Sequence, residues 1–231
     1  MLYAEKIQTQ EGRSIHMKQI HRKLFACAAL ITAFAVWTAA VCFIDVQPVG
    51  PLGSWVGFAK INLMFHRLTG VHLWLYAITD WLSLIPAAVC LGFGCLGLRQ
   101  WIQRKRLLKV DWNLLALGGF YVLVMAGYVL FERLAINYRP ILIGGTLEVS
   151  YPSSTTLLVL CVMPTAAMQL RCRIRSKALR HLALFSIHVF TVLMVFARLL
   201  CGVHWLSDII GGVLLSAGLV MLYACLSFPA E

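Results

Sequence analysis

Six apolar runs, each about as long as a helix that crosses a bilayer, dominate this chain. They lie near 24–44, 79–98, 113–131, 153–170, 181–200 and 207–227. Hydrocarbon offers no partners to backbone N–H and C=O groups, so runs of roughly 20 apolar residues cross it as helices. The chain has 231 residues, of which 61% are hydrophobic and 13% charged, and its mean hydropathy is +0.82. A water-soluble domain of this size has too little interior to hide that surface. The expected fold class is all-α: a polytopic membrane protein whose residues 24–231 form one bundle of six transmembrane helices. Residues 1–23 precede it as a cytoplasmic segment, too long and too mixed in character to open a cleaved signal peptide.

The net charge of +11 would suggest nucleic-acid binding in a soluble protein. Here the charge is sorted by membrane side. Fifteen of the twenty Lys and Arg residues fall in the N-terminal segment, the second-to-third connection (Arg99 to Lys109) and the fourth-to-fifth connection (Arg171 to Arg180). The positive-inside rule assigns these to the cytoplasm, with both termini inside. The charge is then a topology signal, and no nucleic-acid partner is expected. The eight cysteines show no CxxC spacing and read as small membrane-core residues, with no metal site and no disulfide framework.

The unusual residues collect on the outer side. "FERLAINYRP" carries Arg133 and Arg139 just beyond the third span, and "ARLLCGVHWLSD" carries Arg198, His204 and Asp208 between the fifth and sixth. His204 and Asp208 are four apart, so on a helix they share a face. A carboxylate beside an imidazole fixes its tautomer and raises its basicity. Guanidinium groups grip phosphoryl oxygens through parallel hydrogen bonds. "YPSSTT" puts Ser153, Ser154 and Thr155 at the start of the fourth span, where a helix N-terminus and small hydroxyl groups suit a phosphate. The outer connection 45–78 is expected to hold a surface-lying amphipathic helix, with Trp55 and Trp74 at the interface. Pro164 is expected to kink the fourth helix, and the Gly pairs 118–119 and 211–212 to let helices pack closely.

These segments resemble the three signature motifs of the type 2 phosphatidic acid phosphatase (PAP2) family, the lipid phosphate phosphatases: K-x6-R-P, P-S-G-H and S-R-x5-H-x3-D. Arg139-Pro140 matches the end of the first and Pro152-Ser153 the start of the second. Arg198, His204 and Asp208 match the third at its spacing, with Ala197 in place of the serine. The resemblance covers roughly residues 110–215. It implies a six-helix membrane bundle with its site at the outer face, and metal-independent phosphatase chemistry without a cofactor. His204 would attack phosphorus to form a phosphohistidine, Asp208 would orient it, and Arg139 and Arg198 would hold the phosphoryl oxygens.

Two positions depart from the pattern. Glu132 occupies the first motif's lysine position, with Arg133 beside it as a shifted cation. Thr155 occupies the second motif's histidine position, and that histidine protonates the leaving oxygen in the family. His66 and His72 are the outer-side histidines able to replace it. Asp80 and Glu148 are acids or cation partners, and Glu132 is a charge neighbour of Arg133.

The expected function is hydrolysis of a phosphorylated or diphosphorylated membrane lipid at the outer face of the plasma (inner) membrane. Diphosphates leave with less help from an acid, which favours an isoprenoid diphosphate such as undecaprenyl diphosphate over a phosphatidic-acid-type monoester. The alternatives are a catalytically weakened lipid-phosphate-binding protein and a lipid phosphotransferase.

Overall fold

The computed structural model describes residues 2–227. It is a helical bundle: α1 (Leu2–Phe43), α2 (Ala59–Thr69), α3 (Leu73–Leu82), α4 (Leu84–Arg104), α5 (Trp112–Leu134), α6 (Ser154–Arg173), α7 (Lys177–Leu200) and α8 (Leu206–Ser227). Six stretches are long and apolar enough to cross a membrane: Gln19–Phe43, Leu73–Arg104, Trp112–Leu134, Ser154–Arg173, Lys177–Leu200 and Leu206–Ser227. The protein is thus an integral membrane protein of the expected class. α1 runs without interruption through residue 23, where the polar segment was expected to end.

The second stretch begins at Leu73, six residues before the expected 79. It comprises two helices: α3 and α4 meet at Ser83, which keeps helical backbone angles. α3 packs on α7, whereas α4 packs on α5 and α6. The expected surface helix is α2. It is pinned at Asn62, whose side chain donates to Gly57 O (2.7 Å) and Ser207 Oγ (2.9 Å) and accepts from Ser207 N (3.1 Å).

α6 and α8 form the centre. α8 packs against α1, α5, α6 and α7, and α6 against α4, α5, α7 and α8. α6 is the least apolar of the six stretches and the most buried. In a membrane this is the favourable arrangement: lipid solvates apolar faces, so polar side chains turn inward and find partners there. Gln169, on α6, donates to Tyr223 Oη on α8 (2.6 Å) and to Asn113 O on α5 (2.9 Å). Thr165 donates back to Cys161 O at 2.7 Å, and the helix continues through Pro164.

Of the two glycine pairs, only 211–212 allows a close approach. A Cβ at Gly211 would lie 2.6 Å from the Tyr151 ring, and one at Gly212 would lie 3.2 Å from Thr156. Gly118 and Gly119 have open space beside them, so the expectation for that pair does not hold.

The six apolar stretches alternate in direction, so the N-terminal segment and the connections 105–111 and 174–176 share one end. The cation-rich connections sit there. Asp111 draws three elements together at that end, accepting from Gln100 (2.7 Å) and Arg104 (2.9 Å) and lying 3.6 Å from Arg173. The connections 44–72, 135–153 and 201–205 share the opposite end, and they build the candidate site.

Candidate active site

The turn between α7 and α8 is the keystone. Gly202 turns it with φ of +73°, and a Cβ there would fall 2.1 Å from Gly70 O. No other residue type fits both the left-handed backbone and that approach. The turn is fastened from the α2–α3 side. His66 Nε2 donates to Gly202 O (3.1 Å), and His72 N donates to Cys201 O (3.0 Å). On the opposite side Trp205 Nε1 donates to Tyr138 O at 2.7 Å.

Tyr138 belongs to an arm, residues 136–150, that sequence reasoning did not separate from the loop. It doubles back as a two-residue hairpin at Gly144-Gly145, whose positive φ values of 57° and 82° match the right-handed twist of its flanks. Arg139 N donates to Glu148 O (2.9 Å) and Ser150 N to Asn137 O (2.9 Å) across the arm. The Gly-Gly pair was the available signal.

His204 and Asp208 do come together, but not on one helix. His204 lies in the turn and Asp208 in the first turn of α8. Nδ1 of His204 is 3.8 Å from Asp208 Oδ2, close enough for attraction and too long for a hydrogen bond. Asp208 is fully buried and fixed elsewhere: Oδ2 accepts from Trp205 N (3.0 Å) and Oδ1 from Asn137 Nδ2 (3.0 Å). Asn137, which holds Asp208 in this way, was not singled out in the sequence. His204 is 4% exposed. Burial pushes its pKa down to about 4, reinforced by the positive charges of Arg139 and Arg198 and opposed by Asp208. The ring is therefore neutral near pH 7.

Arg198 is 2% exposed and held in a frame. Nη1 donates to Thr79 Oγ1 (3.0 Å), Nη2 donates to Thr155 Oγ1 (2.7 Å), and Asp80 lies 3.9 Å away. The Tyr76 ring centroid is 4.9 Å from its guanidinium carbon and 5.8 Å from that of Arg139. Tyr76, Thr79 and Asp80 are spaced i, i+3, i+4 and so share one face of α3. That polar face in the apolar run "LWLYAITDWL" was the overlooked signal. Arg139 lies 2.9 Å through Nε from Glu148 Oε2. Asp80 and Glu148 are thus cation partners, one of the two roles expected for them.

The expected phosphate ligands separate. Ser153 is buried, its hydroxyl accepting from Thr156 (3.0 Å). Thr155 is occupied by Arg198. Ser154 lines a narrow polar cleft together with Tyr128, Glu132, Ser150, Tyr151 and His204, with room for little more than one water. Arg133 is exposed and outside the cleft, because its neighbour Glu132 faces it and successive helical residues point about 100° apart. The shifted-cation expectation therefore lacks geometric support. His66 and His72 stand outside the cleft as well. His66 braces Gly202, and His72 Nε2 bonds to Thr69 O within its own turn (2.9 Å).

Buried side-chain atoms without a hydrogen bond concentrate at this end: Arg139 Nη1, Ser150 Oγ, Arg198 Nε and both ring nitrogens of His204. Native interiors rarely leave such groups unpaired. Residues 132–230 match the model of the PAP2 superfamily. Over that segment the chain is similar to the PAP2 superfamily. The PAP2 match begins at Glu132 and takes in the hairpin arm, the start of α6 and the α7–α8 turn. No curated protein matches the chain significantly. The fold is similar to that in the crystal structure of a transmembrane PAP2-type phosphatidylglycerolphosphate phosphatase from Bacillus subtilis. The TM-score is 0.59 and the identity 19%, over 86% of this chain and 94% of that one.

The Arg198 frame makes a direct prediction. Thr155→Val keeps the shape and removes an acceptor from a buried guanidinium, at a cost of about 1–3 kcal/mol. Steady-state assays of phosphate release should show kcat/KM lowered roughly 5- to 150-fold, the rate equivalent of that cost. Thr155→Ser, which keeps the hydroxyl, should stay close to wild type.

Proposed function

We propose that this PAP2-like protein is a membrane lipid phosphatase acting through a phosphohistidine on His204. The observation that carries this reading is the set of unpaired buried nitrogens on Arg139, Arg198 and His204. A phosphoryl group supplies acceptors to the guanidinium donors and an electrophile to the neutral ring. In the proposed mechanism Asp208 faces Nδ1, leaving Nε2 to attack phosphorus. Arg139 and Arg198 stabilise charge on the phosphoryl oxygens. Water then cleaves the P–N bond. The 3.8 Å separation of His204 and Asp208 shortens when the ring acquires positive charge during attack, as catalytic contacts commonly tighten in the complex.

The substrate is a phosphorylated or diphosphorylated lipid of the isoprenoid diphosphate or phosphatidic-acid type. The site lies at the bundle end opposite the cation-rich connections, which supports cytoplasmic termini and a site facing outward from the plasma membrane. Detergent-solubilised protein should release phosphate from such lipids in the presence of EDTA. The contact of Thr155 with Arg198, where an acid would stand, favours a second reading as a lipid-phosphate-binding protein. Binding without turnover across mono- and diphosphate lipids would establish that reading. A lipid product that carries the phosphate would instead indicate transfer.

The low proton affinity of His204 sets a pH prediction. The attacking form is the neutral ring, and burial keeps it neutral until pH falls to about 4. The acid limb of kcat/KM, corrected for ionisation of the substrate phosphate near 6, should lie near 4. An ordinary histidine would put it near 6.5. Stability has the same sign. The unfolded ring takes up its proton first, so stability falls as pH drops from about 6.5 towards 4.

A further inference from the structure

A lipid alcohol leaves phosphorus as a poor leaving group unless a proton reaches its oxygen. General acids contribute about 10²–10⁴-fold to such steps. Thr155 is occupied by Arg198, and His66 and His72 are tied to backbone carbonyls outside the cleft. Tyr151 lines the cleft, but its hydroxyl bonds to Thr38 Oγ1 (2.7 Å) and burial raises its pKa, weakening it as an acid.

The carboxyl groups at this end sort differently. Asp45 accepts from Gln47 and Lys60 N, Asp80 and Glu148 face Arg198 and Arg139, and Asp208 is fixed by Trp205 and Asn137. Glu132 alone among the described carboxyls at this end has no ion pair or hydrogen bond, not even to adjacent Arg133. It stands on the last turn of α5 and lines the same cleft as His204 and Ser154. It is exposed, so its side chain is free to follow a substrate. A carboxylate would be a poor phosphate ligand there, since like charges repel.

We infer that Glu132 is the proton donor to the leaving lipid alcohol, which extends the substrate range to phosphomonoesters of aliphatic lipid alcohols. The inference rests on the reading of His204 as nucleophile. As His204 forms its bond to phosphorus, the P–O bond to the lipid breaks and the Glu132 proton passes to the departing oxygen, releasing the free alcohol. In the second step water attacks the phosphohistidine and the P–N bond breaks. The water proton returns to the Glu132 carboxylate, giving inorganic phosphate, neutral His204 and the protonated acid. The sum is one ester and one water in, one alcohol and one phosphate out.

The test compares leaving groups in rapid-mixing assays of wild type, Glu132→Gln and His204→Ala. Gln keeps the shape of an exposed side chain, and thermal unfolding verifies the fold. For a phosphatidic-acid-type monoester, Glu132→Gln should slow release of the lipid alcohol about 10²–10⁴-fold. For p-nitrophenyl phosphate, whose leaving group needs no proton, the p-nitrophenol burst should change by less than about threefold and the phosphohistidine should accumulate. Glu132→Asp should recover part of the lipid activity. Equal losses on both substrates, or no loss on either, would overturn the role of Glu132 while leaving His204 standing. A burst or turnover that survives His204→Ala would instead overturn the nucleophile and this inference with it.

Discussion

Purified His204→Ala protein is expected to stay folded and to lose phosphate release by at least about 10⁴-fold, on the scale found when an enzyme loses its nucleophile. Neither ring nitrogen of His204 has a hydrogen-bond partner. The wild-type fold therefore gains little from the polar part of this side chain and carries the cost of its desolvation. The turn itself is fastened through Gly202, Cys201 and Trp205. Thermal unfolding in detergent should thus show a midpoint close to wild type beside a near-total loss of activity. A mutant that unfolds together with its loss of activity would point to a structural role for the ring.

Arg198 provides the second large effect. Arg198→Ala should lower kcat by about 10²–10³-fold, comparable to removing an oxyanion-hole donor. Arg198→Lys should recover little. Thr79 and Thr155 receive parallel donors from the two terminal nitrogens, and the planar group lies over Tyr76. A lysine has the charge but not the fork or the plane. Steady-state kinetics on one lipid substrate check this, and wild-type kcat in the lysine variant would show that charge alone suffices.

The bundle was legible because membrane helices obey a single strong rule of length and polarity, and five of the six spans start within about five residues of their expected positions. The second was placed late because Tyr76, Thr79 and Asp80 interrupt its apolar run. They do so because that face of α3 meets Arg198 and not lipid. The nearness of His204 to Asp208 was legible from spacing, but its cause was not, since the pair is made by a turn whose shape depends on Gly202 meeting Gly70, far away in sequence. The serines and threonines of "PSSTT" looked equivalent in sequence. Only packing sorts them, with Ser153 turned into the helix start, Ser154 into the cleft and Thr155 onto Arg198. The same is true of Glu132 and Arg133, adjacent residues that a helix sends to different surroundings.

The central claim is a covalent phosphoryl group on His204. Brief incubation with a lipid carrying labelled phosphorus, followed by rapid quenching and peptide mapping, measures it directly. The account predicts an acid-labile, base-stable label on the peptide containing His204, absent from the His204→Ala protein. Release of phosphate with no label on any residue, or with the label elsewhere, would contradict it.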